Sequence, residues 1–106
     1  MSKPTVKRLV ALLEDTSVHL VERARPNGEP AAGYFDGDIT LALSWARARS
    51  KADTLVQVLI HELIHAHDKR ASEETTLRWE MELFKSRTLR EACCVKLLNC
   101  FLFGEE

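Results

Sequence analysis

Val58-Leu59-Ile60-His61-Glu62-Leu63-Ile64-His65-Ala66-His67-Asp68 is the stretch from which the rest of the chain can be read. Its apolar residues recur at helical spacing, and Leu55, Val58, Leu59, Leu63 and Ala66 form a predicted buried face. Asp53 suits the N-cap. Lys69 and Arg70 suit the negative end of the helix dipole, so the helix is expected to end near Asp68–Arg70. Three of the chain's four histidines lie in this window. On a helix, His61 and His65 project from one face, one turn apart, and two imidazole nitrogens so placed can hold one Zn²⁺ ion. Glu62 stands about 100° round the axis from His61. It cannot easily be a third ligand beside them, but it can reach a water at the metal.

Upstream, Gly33-Tyr34-Phe35-Asp36-Gly37-Asp38-Ile39-Thr40-Leu41-Ala42-Leu43 carries an Asp-Gly pair between two apolar runs, a hairpin signal. Ile39, Leu41 and Leu43 are expected on one face of its second strand. Trp45–Lys51 reads as a basic connector, and Pro26-Asn27-Gly28-Glu29-Pro30 as a loop. Val18–Ala24 alternates and predicts a strand, with helix continuation as the alternative. Pro4–Leu13 predicts a helix with Pro4 at its first position and Val6, Leu9, Val10 and Leu13 at helical spacing. Downstream, Ser72 can cap a further helix with Glu73 and Glu74 in its first turn, running with or without a break to about Phe103. The order is helix, strand, hairpin, helix, helix. It predicts a small α+β domain over residues 1–106 with a small antiparallel or mixed sheet.

The composition bounds the function. The chain has 106 residues, 45% hydrophobic and 29% charged, which excludes collagen-like and broadly disordered classes. Lys and Arg total 15 against 16 Asp and Glu, for a net charge of −1, so a nucleic-acid partner is not expected. Arg47, Arg49 and Lys51 form the basic patch on which such a partner would depend. No apolar stretch approaches the roughly 18–20 residues of a membrane span, and no signal peptide is visible. Cys93, Cys94 and Cys100 are an odd count crowded into one segment, which favours small buried thiols and a reducing, cytoplasmic setting.

The run His61-Glu62-Leu63-Ile64-His65 matches HExxH, the zinc-site pattern of metallopeptidases, in which the Glu is the general base. The wider stretch from Gly33 to Asp68 resembles the core of the zincin-like metallopeptidases. There a Gly-aromatic-x-Asp hairpin and an Ile-x-Leu strand precede the HExxH helix, as Gly33-Tyr34-Phe35-Asp36 and Ile39-Thr40-Leu41 do here. Small phage and bacterial metallopeptidases are similar further on, with Ser-Glu-Glu opening the next helix; Ser72-Glu73-Glu74 stands at that place. A weaker similarity, through the HELIHAxD stretch, is to the mitochondrial metalloprotease of ATP synthase assembly. His67 departs from the zincin pattern, which carries an apolar residue there. The resemblance implies a zincin-like core, a Zn²⁺ cofactor, a peptide or protein substrate and hydrolysis with Glu62 as base. It implies Glu74, then Glu73, as the third ligand after His61 and His65. Asp68 lies about a turn too far along the axis unless the helix ends there, and Glu80 and Glu82 are candidates at longer spacing. Strand Ile39–Leu43 is expected to pair with an extended peptide, and Tyr34 or His67 to stabilise the oxyanion.

A different class competes with this one. Ala92–Phe103 is apolar nearly all round as a helix, with only Lys96 and Asn99 polar. Such a helix is either a core element or an interface. A zincin-like binding or regulatory protein, with structural zinc and a homodimer contact through this helix, is the alternative function.

Overall fold

The computed structural model describes residues 2–49 and 53–103. The elements are α1 (Val6–Asp15), β1 (Val18–Val21), β2 (Gly33–Phe35), β3 (Ile39–Ala42), α2 (Leu43–Arg49), α3 (Thr54–His67), α4 (Glu73–Leu83) and α5 (Arg87–Phe103). The fold is α+β: a three-stranded mixed sheet with helices around it and a long C-terminal helix. The sheet order is β1-β3-β2. β1 runs parallel to β3 with Val18 opposite Ile39, and β2 runs antiparallel to β3 with Phe35 opposite Ile39. Asp36–Asp38 turns the hairpin, with Gly37 at φ 108°, a conformation that disfavours any side chain beyond hydrogen.

The middle position of β3 corrects the expected role of strand Ile39–Leu43. Both of its edges are already paired, so it cannot receive a peptide strand. The edge on the cleft side belongs to β2. The strand also ends at Ala42, and Leu43 opens α2. All four β3 residues are buried, which a central strand covered on both faces requires.

α3 is the central helix, packing against α1, α2, α4, α5, β2 and β3. One buried stripe is too narrow a description of it. Leu59 and Leu63 are buried as expected, but so are Val56, Ile60 and Ile64, whereas Leu55 and Val58 are partly buried and Ala66 half-buried. Leu9 and Leu13 of α1, Ile39 and Leu41 of β3, and Leu89, Cys93 and Leu97 of α5 complete the same core. Cys100, also buried, donates to the Val18 carbonyl.

The helix ends follow local chemistry. Thr5, not Pro4, precedes the first turn of α1, and its hydroxyl accepts from the Arg8 N–H at 3.0 Å. Asp53 sits at the start of α3, but its side chain makes no capping bond. Ser72 caps α4 as expected, accepting from the Thr75 N–H at 3.1 Å. The α4–α5 helix is broken at Phe84–Ser86, where the Ser86 hydroxyl accepts from the Leu89 N–H. The basic connector is largely helix α2, since Ala and Arg are strong helix formers. Arg47 pairs with Glu22, and the Arg49 guanidinium stacks 3.7 Å over the Trp45 ring. Lys51 lies outside the described residues. Among the described residues no helix is long and apolar enough to cross a membrane.

Candidate metal centre

The site is built from two helices and the turn between them. Asp68 leaves the helical conformation (φ −150°, ψ 100°) after its N–H donates to the Ile64 carbonyl at 2.9 Å. Its carboxylate accepts from the Arg70 N–H at 3.0 Å and so holds the turn. Ser72 then starts α4, which returns along α3. The α4 residues Thr76, Trp79, Glu80 and Leu83 are buried at helical spacing. Glu73 lies one turn before Thr76 on that inner face, and Glu80 seven positions on, two turns away.

This return brings α4 carboxylates to the α3 histidines. Glu73 lies 3.2 Å from His61 Nε2 through Oε1 and 2.9 Å from His65 Nε2 through Oε2. The two imidazole rings are 5.0 Å apart at 68°. One ligand atom each from His61, His65 and Glu73 fall within 4.8 Å of one another, the one such grouping among the described residues. On its other side, His61 Nδ1 donates to Glu80 Oε1 at 2.8 Å. Glu80 therefore fixes the ring of His61 and turns Nε2 toward Glu73, as a carboxylate behind a metal-bound histidine does.

Burial and charge act in opposite senses on this group. Burial pulls the His61 pKa down, but the Glu80 hydrogen bond and the charges of Glu62, Glu73 and Glu80 outweigh it, and the net shift is upward. Glu62 is only 6% exposed. That burial pushes its carboxyl up to about 7; His61 opposes the shift, and Glu73 and Glu80 add to it.

The donor set fits a zinc ion. Two imidazole nitrogens and one carboxylate are a three-residue complement of the kind that leaves a position open for water or substrate. Glu73 is 71% exposed on its side chain, so the group faces outward. In front of it lies a cleft of about 540 Å³ lined by Gly33–Asp36 of the β2 edge and by His61, Glu62, His65, Lys69 and Glu73. A smaller hollow of about 290 Å³, lined by Ala32, Gly33, Val58, Leu77 and others, adjoins it across His61 and Glu62. Gly33 sets how close β2 comes to α3. A Cβ there would stand 2.7 Å from the Thr40 carbonyl oxygen and 3.0 Å from Val58 Cγ1.

His61, Glu62 and His65 meet in the cleft as the spacing predicts. Glu74 does not join them: it is exposed, about 100° round α4 from Glu73, and outside the ligand grouping. The carboxylate that groups with the two histidines is Glu73. Asp68 is held in the turn, and exposed Glu82 pairs with Lys3 at 2.5 Å. Glu80 is near, but behind His61. Tyr34 lines the cleft, whereas His67 Nε2 faces the Ser2 carbonyl at 3.3 Å and takes no part in it. The positioning role of Glu80 escaped the sequence reading. The signal for it is the Glu73–Thr76–Glu80 spacing, which puts both acids on the face of α4 that packs against α3. Set against protein-family models, curated proteins and solved structures, the chain matches none of them.

Proposed function

We propose that the protein is a zinc-dependent metallopeptidase of the HExxH type, with His61, His65 and Glu73 as the residues that hold the ion. The observation that carries this reading is the convergence of those three donors beside the buried carboxyl of Glu62. When bound, Zn²⁺ polarises the scissile carbonyl and lowers the pKa of water. The protein's own residues do the rest. Glu62 takes a proton from the attacking water and delivers it to the leaving amine. Glu80 keeps the His61 ring in register through Nδ1. The outer edge of β2, Gly33–Phe35, pairs with no other strand among the described residues and offers backbone groups to an extended peptide beside the cleft. Tyr34, on the same strand, is the residue that can donate to the oxyanion.

The test has two parts. Pure protein is assayed for bound metal, and an unfolded protein pool is incubated with wild type and Glu62→Gln. The expected result is stoichiometric zinc in both and cleavage by wild type only. Protein that takes up no zinc would overturn the reading, and equal cleavage by the two would remove Glu62 as the base. A second reading, a binding protein with structural zinc, is favoured by one observation: the outer face of α5 is apolar and exposed. Zinc uptake without cleavage of any substrate is the result it predicts.

A further inference from the structure

α5 carries two apolar faces. Leu89, Cys93, Leu97 and Cys100 are buried against the core. On the opposite side Val95, Leu98 and Leu102 are 58%, 57% and 72% exposed, with Phe101 beside them. Their spacing of three and then four residues keeps them on one narrow seam, the pattern by which a helix packs along another helix. We propose that this seam is the interface of a homodimer in which two copies of α5 pack antiparallel across a two-fold axis close to Leu98. The inference is independent of the metal chemistry.

The shape of the surface favours a second copy of the chain as its occupant. A groove of about 440 Å³ lies between α1 and α5, lined by Val10, Leu13, Ala92 and Val95, with Glu14 and Lys96 at its rim. Leu102 projects seven residues beyond Val95, about 10 Å along the axis, with Leu98 between them. Groove and knob thus share one surface, one heptad apart. An axis between Leu98 and Asn99 sets Leu102 of each copy opposite Val95 and the groove of the other. A two-fold contact requires this reciprocity: each surface holds both halves of the fit. Val95, Leu98 and Leu102, with Phe101 beside them, leave roughly 450 Å² exposed per copy. Pairing these faces buries roughly 900 Å² in total, the size of a weak, reversible interface. A net charge of −1 opposes self-association very little.

Sedimentation velocity of the full chain, from micromolar to near-millimolar concentration, is the primary test. The expected result is a monomer–dimer equilibrium in the micromolar range. Leu98→Glu and Leu102→Glu should each weaken it at least tenfold, with unchanged far-ultraviolet circular dichroism because both side chains are exposed. Met81→Glu, an exposed apolar position on α4, and Glu62→Gln should dimerise as the wild type does. Geometry is tested by Leu98→Cys in a Cys94→Ser background, which should form an intermolecular disulfide under mild oxidation. A protein monomeric at every concentration would overturn the proposal, as would a dimer indifferent to Leu98→Glu or one that Leu98→Cys fails to cross-link. A strict monomer that floats with phospholipid vesicles would assign the face to a membrane surface instead.

Discussion

Replacing Glu62 with Gln in the metal-free protein should change how stability depends on pH, and the structure sets both sign and size. The Glu62 carboxyl is buried, and its pKa rises from an ordinary 4.5 to about 7. A carboxyl whose folded pKa lies above its unfolded one binds more protons folded than unfolded between the two values. Stability is then full below about 4.5, falls as pH rises through the folded pKa, and levels off above it. At 1.36 kcal/mol per unit, 2.5 units amount to about 3 kcal/mol lost by pH 8. For a chain this long that is a shift of more than ~10 °C in Tm. His61 contributes in the same direction. Its raised pKa adds stability that is complete below 6.5 and fades as pH rises through the folded value. Glu62→Gln removes the first contribution and leaves a reduced second one. The measurement is urea unfolding of both proteins with chelator present, at steps from pH 5 to pH 8. Only the difference in slope matters, since any hydrogen-bond deficit of the buried amide is independent of pH and cancels. The wild-type curve should fall more steeply by about 2.5 kcal/mol between pH 5 and pH 8. Parallel curves would refute the view that burial of Glu62 governs its proton affinity.

Two further expectations concern the ligand set and the floor of the cleft. Measured by competition with a chelating dye, zinc affinity should collapse in Glu73→Gln, fall roughly 10–100-fold in Glu80→Gln and stay unchanged in Glu74→Gln; equal losses at Glu73 and Glu74 would unseat the assignment of the third ligand. Gly33→Ala should lower unfolding stability by about 1–3 kcal/mol, because its Cβ meets the Thr40 carbonyl at 2.7 Å and Val58 at 3.0 Å; an unchanged urea midpoint would mean that β2 is free to move away from α3.

Legibility in the sequence followed the range of the interactions. The α3 helix and the meeting of His61, Glu62 and His65 in one cleft depend on a four-residue spacing, and so could be read directly. So could the hairpin, through Asp36-Gly37, and the Ser72 cap. The place of β3 between β1 and β2 depends on pairing across 21 residues, Val18 with Ile39, and alternation within the strand carries no trace of it. α2 was hidden by its charge: Arg47 and Arg49 suggest a loop until Glu22 and the Trp45 ring are seen to receive them. Glu74 and Glu73 differ by a single step in sequence. Only the packing face of α4, marked by Thr76, Glu80 and Leu83, separates them. A resemblance in sequence can locate the Ser-Glu-Glu turn but not the rotation of the helix that follows it.

That rotation also gives the cluster an excess of negative charge. Glu62 and Glu80 are buried and Glu73 adjoins them, so three carboxylates surround the two imidazoles of His61 and His65. Even with both rings protonated and every carboxyl ionised, the group carries a net charge of −1. A buried charge without a partner is costly, and the metal-free protein reduces the imbalance by holding protons: Glu62 and His61 both have raised pKa values. A divalent ion does the same work with both imidazoles neutral, leaving the group at −1 while all three carboxylates stay ionised. Metal and protons therefore compete for the same site, and affinity should weaken as pH falls below neutrality. Occupancy of the centre would thereby set the state of Glu62. A bound cation would favour its carboxylate form, the form that the proposed base needs to accept a proton from water, whereas in the metal-free protein burial drives it toward the acid form, which cannot.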